Sequence, residues 1–362
     1  MRALSPSKFA LASDLVMRVT RWTGILRRVI PSVFLASIVL ASPTPPSSGQ
    51  GASLVAAAAA SGRPRECAST VRRGLSRRPT VWELARAPEL GRYCDLVARA
   101  KALLVSDPAA AKSAAEGAEK VLPGHAAPRV LLARAALALG KIDDAAREFE
   151  AARTKDPRSV EDPPTMHDLA EVLRRTGKLD DALAVYRALV PRIDLLGSSD
   201  RRVAVLLEAA HVSMAVAAAR APGGAAAPAE ASSTEPKRAP LDEAAAYLRE
   251  ARQRPPSALS GDVLLSLVLV LDRNGDRVQA DAALADARAS GVRLRAGGPS
   301  YLAAVEDKAC LEALAAEGAA AVKSWETYLA GPGGKTPWAA SARARLEAAK
   351  KAPRPAGGKG GP

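Results

Sequence analysis

Aromatic side chains make up only 3% of this 362-residue chain, and histidine and cysteine occur three times each. With only His125, His167 and His211 available, no Gly-x-Ser-x-Gly element and no phosphate-cradling glycine loop, nucleophilic and acid–base chemistry have few places to sit. Cys67, Cys94 and Cys310 fit no zinc or haem spacing, so no metal or cofactor is expected. A continuous basic stripe is also missing, although the net charge is +14. The first 41 residues hold six Lys or Arg against one Asp, residues 62–78 hold six Arg against Glu66, and Lys350, Lys351, Arg354 and Lys359 close the chain. The middle is near neutral. Basic ends of this kind exclude a backbone-tracking nucleic-acid groove and suit loose attraction to an anionic surface.

What is abundant is alanine and leucine, within an apolar fraction of 48%. Helices packed through small residues approach closely but bury little area each, so stability is expected from stacking many units.

The stacking unit is legible. Leu132, Gly140, Ala145, Phe149 and Ala152 are answered by Leu169, Gly177, Ala182, Tyr186 and Leu189 at a constant offset of 37. Each glycine follows an apolar helical run, where a left-handed residue ends a helix without steric penalty. Ala145 and Ala182 sit early on the second helix, where a larger side chain would hold the pair apart, and Phe149 or Tyr186 fills the space one turn on. Pro157 breaks into the next unit. This pattern resembles the tetratricopeptide repeat, a helix-turn-helix unit of about 34 residues. The resemblance predicts an all-α, tetratricopeptide-like superhelical solenoid over residues 65–350, with its strongest copies at 126–159 and 163–196. Weaker copies are expected around Ala111 to Pro123, Leu241 to Pro256 and Leu264 to Ala287. A last pair is expected at 301–314 and 320–329, and a terminal capping helix at 338–350.

Members of this family bind protein or peptide partners in a concave groove lined by the first, or A, helices. The resemblance therefore implies a non-catalytic scaffold, with the A-helix positions Arg134, His167, Glu171 and Arg174 as candidate partner contacts. Family members that clamp a terminal carboxylate use asparagine and lysine there, and both are lacking at these positions. His167 and Glu171, one helical turn apart, are also the best acid–base pair in the sequence, but no third group joins them. The recurring acidic pairs Asp143–Asp144, Asp180–Asp181 and Asp242–Glu243 read as favourable charges at helix amino ends.

The flanks read differently. Arg27 and Arg28 precede an apolar run at 29–41, the pattern of an export signal; the run is short of the about 20 residues that span a bilayer. Residues 1–41 are read as that signal, with Met17 as an alternative start, or as an uncleaved inner-membrane anchor. Residues 42–64 read as a disordered linker, 221–240 as a disordered insertion and 351–362 as a disordered tail. In an exported, periplasmic protein Cys67 and Cys94 are candidates for a disulfide, leaving Cys310 as a buried thiol. A membrane-tethered structural spacer and a cryptic hydrolase are the alternative functions.

Overall fold

Glycine ends three of the A helices in the same way. Gly140, Gly177 and Gly275 have φ of 75°, 78° and 79°, inside the left-handed region that side chains resist. The amide of Lys141 donates to the Ala136 carbonyl and that of Gly140 to Leu137; Lys178 with Leu173 and Gly177 with Arg174 repeat the arrangement. Two of the carbonyls left over by the last helical turn are thereby satisfied, and the chain reverses into the partner helix.

The computed structural model describes residues 88–221, 239–291 and 300–351, together with 64–67, 71–72, 75–76, Ala85 and Leu294. The segments expected to be an export signal (1–41) and, but for Pro64, a linker (42–64), with residues 222–238 of the expected insertion and the expected tail beyond 351, lie outside the described residues. All described residues belong to one unit, 49–362. After a 3-10 turn at Arg65–Cys67 and a two-residue antiparallel pair, β1 (Val71–Arg72) with β2 (Leu75–Ser76), the described secondary-structure elements are all helical. Six antiparallel pairs follow: α1 (Pro88–Leu103) with α2 (Pro108–Val121), α3 (Ala126–Ala138) with α4 (Ile142–Lys155), α5 (Pro163–Arg175) with α6 (Leu179–Leu189), α7 (Ser199–Arg220) with α8 (Pro240–Gln253), α9 (Ser260–Arg273) with α10 (Arg277–Ala289), and α11 (Glu306–Ala315) with α12 (Gly318–Ala330). A single helix, α13 (Ala339–Lys351), closes the array against α12. This is an all-α, tetratricopeptide-like solenoid, with the odd-numbered helices α1 to α11 in the A position.

The landmark residues form the core. Ala145, Phe149, Ala152, Ala182, Tyr186 and Leu189 are all buried, and the small residues let each helix pair close on its aromatic. Pro157 opens a short 3-10 turn before α5. The longest helix, α7, has 22 residues and is apolar enough to cross a bilayer, but it lies mostly buried within the core. One expected boundary is corrected: the helix placed from Tyr301 begins only at Glu306. Tyr301 and Leu302 are drawn instead onto the A helices of earlier repeats, where burial of the ring outweighs another helical turn.

Candidate functional site

Three of the four residues read as groove contacts are engaged inside the protein. Arg134 of α3 pairs with Asp168 of α5 at 2.6 Å, each side chain only 15% exposed. Arg201 of α7 reaches the other oxygen of Asp168 at 3.3 Å, so one carboxylate links three successive A helices. His167 of α5 lies 2.8 Å from Glu208 of α7, which also accepts from the Tyr186 hydroxyl at 2.9 Å. Arg174 donates to the Leu302 carbonyl at 2.6 Å. Glu171 pairs with Arg175 one turn along its own helix, at 3.3 Å. His167 and Glu171 have separate partners and form no acid–base pair. Arg134 and His167 tie A helices together and Arg174 ties α5 to the segment before α11, each through a partner contributed by a different repeat, while Arg134 also lines the cleft described below.

The charge state of the central tie follows from its surroundings. Burial disfavours a charged His167, but the Glu208 carboxylate outweighs it and raises the imidazole above its ordinary value. Burial would raise Glu208 in turn, and His167, with help from Arg174 and Tyr186, holds it below the carboxylate range instead. Both shifts favour the charged forms of the pair between α5 and α7.

Deeper in the array lies a cluster that sequence reading missed. His211 of α7 places Nε2 2.9 Å from the Ser266 hydroxyl of α9 and Nδ1 3.6 Å from Asp307 of α11. The order serine, histidine, aspartate resembles a nucleophile with its base, yet all three are at most 1% exposed, and the Tyr301 ring lies 5.0 Å from the imidazole. Asp307 is also gripped by both terminal nitrogens of Arg273. Burial lowers the His211 pKa against the pull of Asp307, so a neutral imidazole occupies the centre. With no surface open to a substrate, the cluster ties α7, α9 and α11 together. A separation of 34 residues between Arg273 and Asp307, the repeat period itself, was the available sequence signal.

One open part of the A-helix face is at the amino-terminal end. A cleft of about 280 Å³ lies among α1, α3 and the start of α5. Val97, Val130 and Leu131 give it an apolar floor, and Lys101, Arg158 and Glu161 contribute charge. One wall is the 64–67 turn, which the Cys67–Cys94 disulfide fastens to α1. Glu66 in that wall accepts from the buried Tyr93 hydroxyl at 2.6 Å and lies 3.3 Å from His125. On the opposite wall, burial pushes the Asp162 carboxyl above its ordinary pKa, with Lys101 and Arg134 pulling the other way. Among the described residues no group of three or more His, Cys, Asp or Glu is arranged to hold a metal ion.

A tetratricopeptide-repeat family model matches residues 102–162, the stretch from the end of α1 to the turn before α5. Over that stretch the sequence matches the tetratricopeptide repeat. Among solved structures, it is similar to a putative kinesin light chain of Podosopora anserina with nearly identical TPR-like repeats, at 17% identity over 55% of this chain and 94% of that one, with a TM-score of 0.38. It is also similar to pilF of Pseudomonas aeruginosa, at 12% identity over 72% of this chain and 90% of that one, with a TM-score of 0.41. A third likeness is to yeast Tom70, at 19% identity over 60% and 41% of the respective chains, with a TM-score of 0.33. No curated protein matches the chain.

Proposed function

We propose that this protein is a non-catalytic scaffold that holds a partner protein in the cleft formed by α1, α3 and the start of α5, in a cell-envelope assembly. The observation that carries the reading is that cleft, an apolar floor with charged walls to which Lys101, Arg134 and Arg158 all contribute. The tetratricopeptide match takes in α3 and the turn before α5, which supply part of its lining. An envelope location is supported by the signal-like run at 29–41 and by the Cys67–Cys94 disulfide, a bond that persists in oxidising compartments. The test is affinity capture from the envelope fraction, comparing wild type with Lys101→Glu/Arg158→Glu and with a control carrying Lys112→Glu on α2. A partner held by wild type and the control but lost by the cleft variant, at unchanged unfolding temperature, supports the reading. Equal capture by all three moves the binding surface elsewhere, and capture of nothing favours a structural spacer.

A further inference from the structure

Residues 300–305, between α10 and α11, extend neither helix, and within them Tyr301 and Leu302 lie against the A helices of earlier repeats. Tyr301 is buried with its ring beside His211 of α7, and its hydroxyl is under the influence of Asp262 and Ser266 of α9. The next carbonyl, that of Leu302, takes the hydrogen bond from Arg174 of α5 across 128 residues of sequence. Leu302 and Ala303 pack on the main core. One short irregular segment thus touches three successive A helices, α7 through the Tyr301 ring, α9 through its hydroxyl and α5 through the Leu302 carbonyl. Main-chain hydrogen bonds and alternating side-chain contacts are also how a partner's linear segment is recognised. Beside the segment, Arg174 Nε is buried with no hydrogen-bond partner, so a donor remains for a segment with a better-placed acceptor.

We infer that residues 300–305 are an internal occupant of a peptide site on α5, α7 and α9, and that a partner segment with an aromatic residue followed by an aliphatic one binds there by displacing them. The inference rests on the protein-binding reading of the A-helix face but uses a different part of it, so the cleft variants and the tests below fail independently. Being tethered, the internal segment competes at an effective concentration on the order of millimolar. The native chain binds a free peptide with its intrinsic affinity reduced by the fraction of open molecules.

The probe is a fluorescent peptide, Ser-Phe-Leu-Ala-Ala-Val, with Ser-Gly-Gly-Ala-Ala-Val as control, titrated against the full chain. The expected result is binding by Tyr301→Ala about tenfold or more tighter than by wild type. Adding Arg174→Ala should reduce it to the level of the control peptide. Equal binding by wild type and a fully helical Tyr301→Ala overturns the proposal. A second measurement needs no variant: tetranitromethane nitration of the native chain, read at each tyrosine by mass spectrometry. The phenylalanine peptide has no phenol, and at millimolar concentration it should raise nitration of Tyr301 severalfold while leaving Tyr186 unchanged. Unchanged nitration of Tyr301 means the segment is a fixed part of the core and overturns the proposal, whatever the variant does.

Discussion

Arg345 in the closing helix grips both oxygens of Asp272 in α9, at 2.7 and 2.8 Å and across 73 residues of sequence. Both side chains are 6% exposed, and the Ser341 hydroxyl donates to the Asp272 carbonyl at 3.1 Å beside them. Arg345 also pairs with Asp281, so α13 is fastened to both helices of the α9–α10 pair. Arg345→Ala leaves a buried carboxylate with only the 3.6 Å contact to Arg277, and should lower stability by about 3 kcal/mol in urea unfolding. The double replacement Asp272→Leu/Arg345→Met should recover most of that loss, since neither charge is left buried alone. A loss below about 0.5 kcal/mol for the single change would place the pair among weak surface contacts.

Ala182 has no exposed surface, at the point where α5 and α6 come together. Ala182→Trp should destabilise by about 1–3 kcal/mol through overpacking. An unchanged denaturation midpoint would count against its place in the repeat register.

The two histidine ties should respond oppositely to pH. His167 has a raised pKa in the fold, so its stabilisation is complete below the ordinary value of 6.5 and fades as pH rises through the raised one. Glu208, held low, contributes above its ordinary value of 4.5 and loses that contribution as pH falls through the lowered one. His167→Gln should therefore be more damaging at about pH 5.5 than at about pH 8. His211 has a lowered pKa, so the unfolded chain takes up a proton that the folded one resists, and stability drops as pH falls below 6.5. His211→Gln should remove that part of the acid sensitivity. Urea midpoints of the two variants and wild type at both pH values check the signs.

Reduction of the Cys67–Cys94 bond, whose positions are 27 residues apart, should cost about 3 kcal/mol by releasing the loop in the unfolded chain. A Cys310→Ala background keeps the buried third thiol out of the comparison. Hydrogen exchange should quicken in α1 and leave α9 unchanged, since solenoid units report on their neighbours. Uniform quickening would show that the array unfolds as one body.

The fold was legible where one residue type answers one steric demand. Glycine at 140 and 177, alanine at 145 and 182 and an aromatic at 149 and 186 meet such demands, and the structure uses them accordingly. The A-helix face was read less well because its chemistry is settled between repeats. Arg134 looks like a solvated residue on its own helix, and its partner Asp168 arrives 34 residues later. Tyr301 looks like the start of a helix until α7 and α9 offer its ring a place to be buried. The cleft also draws on Pro64 and Glu66, outside the strongest repeats, so no single repeat contained it.

Arg134 with Asp168 and Arg273 with Asp307 are both exactly one family period apart, and each joins consecutive A helices. Such rungs make the order of the units part of the fold. Deleting one helix pair or exchanging two would preserve the glycine and alanine landmarks of every remaining unit yet bring an arginine opposite the wrong neighbour, leaving charge buried without its counterpart. This array is expected to tolerate new side chains on its surface far better than editing of whole repeats, and to behave as a sequence of distinct parts rather than interchangeable bricks.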